Sequence, residues 1–547
     1  MSVMSYLPFG AGGIIVRVET DIRRGIPGVD ISGLAEGAVR EARDRVRAAF
    51  RNSGFSFPLD RILINLAPAG MKKDGAALDL PIALSVMAAA EIAPISGDLL
   101  VMGELELSGK IRPVRGVLAA IAAGLAEGIT EFIVPAENAG EAAILKDKGA
   151  RLTAVENLQS AVHALFIREE KGNLPVSLES CPQNEEPQSI SIGDFSDVRG
   201  QPLYKRALEI AAAGGHNVLV FGPPGAGKTM LARRFPSIMA PLTSDEAVEV
   251  TRLYSLAGPF SNSDGKNSHR FIDRLITRAP FRSPHHSASA EGILGGGRIP
   301  RPGEISLAHF GTLFLDEAPE FRVNVLQALR EPLEDRVISI VRAEGPLRLP
   351  AEFQLLMTAN ACPCGRLGMR ESDGKGFASC FCSPEEINRY WRKFGGALLD
   401  RVEIRIAILP PKIEEMRKSS SSNEEASAVI ARRVKAAVEI QRHRFKGLKS
   451  NSEPQKQTGF AVSEIRRNAL LPAGKADALC PMNEKAEKAF HSVAAKLGLS
   501  GRAYHGILRV ARTIADLDGK DIIEAEHILE AVYFRRMGED PWEIISM

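Results

Sequence analysis

Along the first part of this 547-residue chain, apolar positions recur with two different periods. Residues 14–19 alternate apolar and polar, the period of a half-buried strand, and residues 61–66 and 132–134 also read as strands. Residues 38–51 follow the helical period, with Val39, Ala42, Val46, Ala49 and Phe50 as the apolar stripe. Residues 80–89 read as a buried helix, and residues 117–127 as another that Gly128 closes. Interleaved strands and helices predict an α/β domain of ordinary size. Residues 168–192 are rich in Glu, Pro, Ser, Gln and Asn and lose the periodicity, which predicts a linker. Apolar strands are then predicted over 217–221, 311–315 and 353–359, with a helix starting at 230–234. From about residue 409 the pattern is almost wholly helical, interrupted by polar stretches at 417–425 and 446–458 that read as exposed loops.

The length calls for two to four domains. The chain is 45% hydrophobic and 25% charged, as expected of a soluble globular protein, and its net charge of +2 leaves any polyanion-binding surface to local clusters. No secretory leader and no run long enough for a membrane span are seen, so no membrane contact is expected. Six cysteines in this length do not make a disulfide framework, and a reduced, cytoplasmic protein is expected.

The strongest chemical signal is Gly222-Pro223-Pro224-Gly225-Ala226-Gly227-Lys228-Thr229, a phosphate loop lying between a predicted strand and a predicted helix. Its glycines free backbone N–H groups to face phosphate oxygens, Lys228 reaches the terminal phosphates, and Thr229 ligates Mg2+. A nucleoside triphosphate site, hence ATP with Mg2+, is implied. The strand at 311–315 ends in Asp316 and Glu317, placed to hold Mg2+ through water and to orient the attacking water. The strand at 353–359 ends in Asn360, which suits a sensor of the γ-phosphate or the lytic water; a turn-forming Asn is the plainer alternative. Arg401 is a candidate arginine finger, or else pairs at the surface with Asp400 or Glu403.

These motifs, in this order, resemble AAA+ ATPases. Phe281-Arg282-Ser283-Pro284-His285-His286-Ser287 and Gly303-Glu304-Ile305-Ser306-Leu307-Ala308-His309 resemble the magnesium-chelatase-like branch. Ser500-Gly501-Arg502-Ala503-Tyr504-His505 and the segment from Arg509 to Asp516 resemble the C-terminal domain of ComM/YifB-type proteins. The resemblance runs nearly end to end. It implies that Arg502 acts as a second ATP sensor and that the chain forms a homo-oligomeric ring, a hexamer, with ATP between subunits. It further implies a DNA translocase or helicase that promotes branch migration during natural transformation. A magnesium-chelatase motor subunit and a protein-remodelling motor are the alternatives.

Residues 71–81 and 103–116 resemble segments of Lon-type proteases, with Ala77 at the serine position and Leu118 at the lysine position. Neither side chain can serve as nucleophile or base, so no peptidase activity is expected. The expected architecture is α/β multidomain: a Lon-protease-like, S5-like N-domain over 1–167, the linker, an AAA+ core over 193–408 and a helical lid over 409–547. In the N-domain, Arg40, Arg43, Arg47 and Arg51 share one helical face, as a phosphate-tracking stripe or as a solvated face partly neutralised by Glu41 and Asp44. Two candidate pore elements follow in the core: a flexible insertion at 282–301, and a hairpin at 336–349 carrying Arg342 and Arg348. Cys362, Cys364, Cys380 and Cys382 offer four thiolates for structural Zn2+, although C-x-C is tighter than the usual knuckle spacing. Cys181 and Cys480 stand alone.

Overall fold

The computed structural model describes residues 2–33, 37–70, 73, 76–95, 97–175, 193–258, 272, 274–297, 301–342, 345–369, 378–411, 425–446, 448 and 465–536. At the amino end, β1 (Ser2–Phe9) and β2 (Gly12–Arg23) form an antiparallel hairpin turning at Gly10, whose φ is 66°. β3 (Gly28–Ser32), α1 (Gly37–Asn52) and β4 (Arg61–Ala67) follow, then α2 (Asp79–Ala89), β5 (Leu100–Val101) and a small hairpin of β6 (Glu104–Leu105) and β7 (Ile111–Arg112). α3 (Val117–Ala126), β8 (Glu131–Pro135), α4 (Ala139–Ala143), β9 (Arg151–Val155) and α5 (Leu158–Lys171) complete the unit. Seven strands make one mixed sheet in the order β3-β4-β2-β1-β5-β8-β9. Helix α1 buries Ala42, Val46, Ala49 and Phe50, the stripe its periodicity predicts. The side chains of Val39 and Arg40 lie outside the described residues.

Helix α5 corrects the start of the predicted linker. Asn157 and Ser160 close a reciprocal capping box, and Leu158, Ala161, Val162 and Leu165 are buried, so the helix continues through 168–171 until Gly172 turns left-handed at φ 74°. Residues 176–192 lie outside the described residues.

The second unit is built on a parallel sheet. α6 (Pro202–Gly214), β10 (Val218–Phe221), α7 (Lys228–Ala232) and α8 (Ser244–Ala257) come first. β11 (Phe281–Arg282), α9 (Ala290–Leu294), β12 (Gly295–Gly296), β13 (Arg301–Pro302) and α10 (Glu304–Leu307) lead to β14 (Thr312–Leu315). α11 (Val323–Ala328), α12 (Arg330–Asp335) and the hairpin of β15 (Val337–Arg342) and β16 (Gly345–Pro350) precede β17 (Gln354–Ala359). α13 (Pro384–Arg392), α14 (Gly396–Leu399) and β18 (Ile404–Ala407) end it. The sheet order is β11-β14-β17-β10-β18, and every neighbouring pair is parallel. All loops that leave strand carboxyl ends therefore emerge on one edge.

The sequence segment read as a flexible insertion is more ordered than expected. α9 and the β12–β13 hairpin occupy it, and Ile293 is fully buried in the core. Arg282 forms a bidentate pair with Glu304 at 2.7 and 2.8 Å, which ties its start to α10. Residues 298–300 lie outside the described residues.

The remaining described residues are helical: α15 (Ser427–Phe445), α16 (Ala473–Leu479), α17 (Glu484–Leu497), α18 (Gly501–Leu517) and α19 (Ala525–Arg536). Of the two polar stretches, only Glu425, Lys446 and Leu448 are among the described residues. The helices share one apolar core with α6 and β10. No helix among the described residues is long and apolar enough to cross a membrane.

The N-terminal unit docks on α8. Buried Glu141 accepts hydrogen bonds from Leu118 N at 2.8 Å and from the Ser255 hydroxyl of α8. Leu256 of α8 is buried in the same apolar cluster as Tyr6, Leu118 and Ile121. At a second contact the Gly10 turn meets Leu347 of β16, where an added Cβ would lie 2.3 Å from Leu347 Cδ1.

Asp516 of α18 organises the helical unit. Its carboxylate is fully buried and accepts from Arg512 Nε at 3.1 Å, a terminal nitrogen of Arg444 at 2.9 Å and Asn468 Nδ2 at 2.8 Å. An Asp516→Ala substitution leaves buried Arg512 and half-buried Arg444 without their anion, and it should destabilise this unit by about 3–5 kcal/mol. Urea unfolding of the full chain, followed by far-ultraviolet circular dichroism, should show the loss as an earlier helical transition.

Candidate nucleotide site

The phosphate loop leaves β10 at the carboxyl edge. Gly222 is required by close approach, since a Cβ there would lie 2.1 Å from the Ile408 carbonyl oxygen. Gly225 and Gly227 take φ values of 79° and 83°, the left-handed turn that aims successive N–H groups into the loop. Pro224 packs against Gly365, and Ala226 is buried. Gln201 clamps the loop from outside, donating to the Ala226 carbonyl at 3.2 Å and the Leu409 carbonyl at 2.6 Å.

Lys228, Thr229, Asp316, Glu317 and Asn360 converge here from three strand ends. The Lys228 ammonium donates to Gly222 O at 2.7 Å, Pro223 O at 2.9 Å and Asn360 Oδ1 at 3.1 Å. Thr229 Oγ1 donates to Asp316 Oδ1 at 2.8 Å. A hydroxyl and a carboxylate at this separation are the hard oxygen donors that Mg2+ takes, with phosphate oxygens and water completing its shell. The residues thus fit Mg2+ and a triphosphate. Glu317 is exposed and held at φ 50°, a left-handed conformation that costs a non-glycine residue about 1–2 kcal/mol. Strain of this kind is kept where surrounding bonds over-determine it, and here Thr358 Oγ1 accepts from Glu317 N at 3.0 Å.

Thr358 is a residue whose role sequence reading missed. Its hydroxyl also donates to Asp316 Oδ1 at 2.6 Å, so it sets both acids at once. The available signal was strand alternation, which puts Thr358 and Asn360 on the same side of β17. Gln201 carried no comparable signal, because its partners are backbone carbonyls distant in sequence.

Arg401 and Arg502 lie elsewhere. Arg401 follows α14, and its carbonyl accepts from Asn217 Nδ2 at 2.8 Å, just before β10 begins. It therefore sits at the amino edge of the sheet, about 13 Å of strand from the phosphate loop. Its guanidinium pairs with Glu334 of α12, not with Asp400 or Glu403, which corrects the surface-pair alternative. Arg502 donates to the other oxygen of Glu334 at 2.9 Å and lies 3.7 Å from Asp400. Glu334 thus holds both arginines, and its carboxyl pKa is lowered, first by the Arg401 hydrogen bond. The three line a cleft of about 550 Å3 together with Arg336, Asp400 and Glu403.

The remaining candidates are dispersed. The hairpin forms as expected; Arg348 is exposed on β16, and the side chain of Arg342 lies outside the described residues. On α1, Arg43, Arg47 and Arg51 are exposed, with Arg43 bonded to Asp44 at 3.3 Å. Ala77 and Leu118, the two protease-dyad positions, share an apolar cluster with Leu256 of the core unit. The four cysteines do meet: all four Sγ atoms lie within 4.8 Å of one another. Cys480 is buried and unbonded to the other described cysteines, and Cys181 lies outside the described residues.

Comparison with known proteins places the chain in a family. The family described as "Magnesium chelatase, subunit ChlI" matches residues 194–416. "Subunit ChlI of Mg-chelatase" matches 18–138, and "Magnesium chelatase, subunit ChlI C-terminal" matches 424–535. The chain is 38% identical to the uncharacterized protein YifB of Salmonella typhimurium, over 95% of this chain and 94% of that protein. It is also 38% identical to the competence protein ComM of Haemophilus influenzae, over 98% of this chain and 97% of that one. A shorter match, 26% identical over 29% of this chain, is to part of the Lon protease of Solibacter usitatus.

Burial pushes the Lys228 pKa down to about 8, against the attraction of Glu317 and Asp316. Below that value the ammonium is charged and can meet phosphate; above it the free site loses its cation. ATP affinity should therefore fall as pH rises from about 7 to about 9, approaching tenfold per unit once the free lysine is mostly neutral. Titration with a fluorescent ATP analogue across that range checks this, and Lys228→Ala should bind weakly with no such pH dependence.

Proposed function

The chain belongs to the magnesium chelatase subunit ChlI-like family of YifB and ComM proteins, and from that premise we propose that it is a ring-forming AAA+ ATPase that translocates on DNA and promotes branch migration, a ComM-like role in natural transformation. One observation carries the ring. Arg401 and Arg502 lie together on the amino edge of a sheet whose carboxyl edge bears the phosphate loop. A cation there cannot reach its own subunit's ATP, but it can meet the ATP of a neighbour stacked edge to edge.

In this reading the loop backbone and Lys228 bind the phosphates, and Thr229 and Asp316 hold Mg2+. Glu317 takes the proton of the attacking water, and Asn360 orients that water or the γ-phosphate. The neighbour's Arg401 and Arg502 leave Glu334 to stabilise charge on the transferring phosphoryl group, as arginine fingers do. The DNA part is supported by near full-length likeness to a competence protein. It is supported also by exposed Arg348 on the hairpin and by exposed Arg43, Arg47 and Arg51. Basic contacts of this kind make binding steeply salt-dependent.

A second reading is favoured by the family description itself. "Subunit ChlI of Mg-chelatase" also covers the N-terminal unit, so that unit does not separate a DNA motor from a chelatase motor.

Strand exchange on a labelled three-stranded or four-way DNA junction decides between them. The wild type should migrate the junction with ATP, and Glu317→Gln should bind ATP but migrate nothing. Absence of migration and of DNA-stimulated hydrolysis would end the DNA reading and favour the chelatase or a protein-remodelling motor.

Arg401→Ala should reduce kcat by about 10³-fold while leaving ATP affinity near that of the wild type. Mixing Arg401→Ala with Lys228→Ala subunits rebuilds intact interfaces, each with one subunit's loop and the other's arginine. Hydrolysis should reappear in the mixture; if it stays at the level of the separate variants, the arginine does not act between subunits.

A further inference from the structure

The four-cysteine cluster stands at the point where the nucleotide site is anchored. Cys362 and Cys364 lie in the turn leaving β17, immediately after Asn360. Gly365 and Gly368 there take φ values of 76° and 81°, which turn the chain sharply back. Cys380 and Cys382 come from a separate segment that runs directly into Ser383, the N-cap of α13. The tight C-x-C spacing is therefore met by two short arms brought face to face. Their Sγ separations are 3.4 Å for Cys362–Cys364, 3.6 Å for Cys364–Cys380 and 3.6 Å for Cys362–Cys380. A tetrahedral Zn–S4 centre with bonds of about 2.3 Å has S···S edges of about 3.8 Å, so little movement is needed. These distances are far beyond a disulfide bond. Leu367 N also donates to Cys362 Sγ at 3.4 Å, a bond that orients a metal-bound thiolate.

α13 holds the end of β17 from the other side. Trp391 Nε1 donates to the Ala361 carbonyl at 3.0 Å, and the Tyr390 hydroxyl accepts from Asn360 N. Gly365, inside the cysteine turn, packs on Pro224 of the phosphate loop. We propose that Cys362, Cys364, Cys380 and Cys382 bind one Zn2+, and that this ion braces Asn360 and the phosphate loop by tying the end of β17 to the start of α13. Without the ion, four thiols hold the two arms only weakly, and α13 can draw away from Asn360. The catalytic consequence rests on the ATPase reading above; the metal site and the brace do not.

The test uses the purified full-length chain, handled without chelators. Plasma mass spectrometry should find about one zinc per chain, and exchange with Co2+ should give the thiolate charge-transfer and visible bands of tetrahedral cobalt. A chain free of zinc, with no such cobalt spectrum, overturns the site. The brace is read separately through Trp391 emission, with Trp542→Phe removing the other tryptophan. Zinc removal should shift Trp391 emission to the red as its indole loses Ala361, and Zn2+ but not Mg2+ should reverse the shift. Unchanged emission on removal overturns the brace. In a hydrolysing enzyme, zinc removal should cut kcat by about 10²-fold, the cost of misplacing a positioning group by an ångström, and zinc should restore it. Should hydrolysis be absent even with zinc, the ATPase reading fails while metal content and emission still decide the proposal. Cys364→Ser, at an exposed ligand, gives a second route to the zinc-free state without a chelator.

Discussion

Strand polarity in the five-stranded sheet is the constraint on which the rest depends. Every neighbouring pair is parallel, so the loops after β10, β14 and β17 all emerge on one edge. Each contributes chemistry there: the phosphate loop, the Asp316–Glu317 pair and Asn360. The same polarity sends the turn after α14 to the opposite edge, beside Asn217. The phosphate loop and the Arg401–Arg502 pair therefore lie at opposite edges of the same sheet. Glu334 holds half-buried Arg401 and exposed Arg502 together, because two cations sharing one carboxylate are each partly neutralised.

In the N-terminal unit the two positions that resemble a protease dyad are apolar and belong to one cluster. A serine–lysine dyad needs a polar cleft open to substrate. Here Ala77 and Leu118 present apolar surface, and α8 of the core unit covers it with Leu256. Burial raises the Glu141 carboxyl pKa, while the Ser255 hydroxyl and the backbone N–H groups of Leu118 and Val117 act to lower it. A buried acid so surrounded fixes the orientation of two units more firmly than apolar contact alone, since separating them strands its hydrogen bonds. With the Gly10 turn seated on Leu347, the N-terminal unit touches both α8 and the hairpin.

Local pattern carried much of this. The strand–glycine–helix run at 217–234, the acids ending β14 and the amide ending β17 were all visible, because a catalytic loop needs particular residues at adjacent positions. The stripe on α1 was visible for the same reason, since helical burial repeats within a few residues. β1 and β9 were not recognised, because Ser and Pro break the apolar pattern of β1 and β9 is only five residues long. The start of the linker was misjudged because α5 carries polar residues in its last turn. The insertion before β14 looked flexible because its glycines and serines hide Ile293, whose burial depends on residues of other elements.

The sequence by itself therefore determined the chemical inventory: a phosphate-loop motif, two adjacent acids ending one strand, an amide ending another, four cysteines, and apolar Ala77 and Leu118 where a protease-like segment would carry serine and lysine. These depend on residue type and short spacing, which the chain displays directly. Only the tertiary structure decided which of them share a site. Thr358 joins Asp316 to Glu317, Gln201 clamps the loop, Glu334 gathers Arg401 and Arg502, and α13 meets the end of β17 beside the cysteines. Each of those contacts closes a long loop or crosses between elements. Its energy comes from packing and burial that exist only after the chain has folded, so no local pattern in the sequence records it.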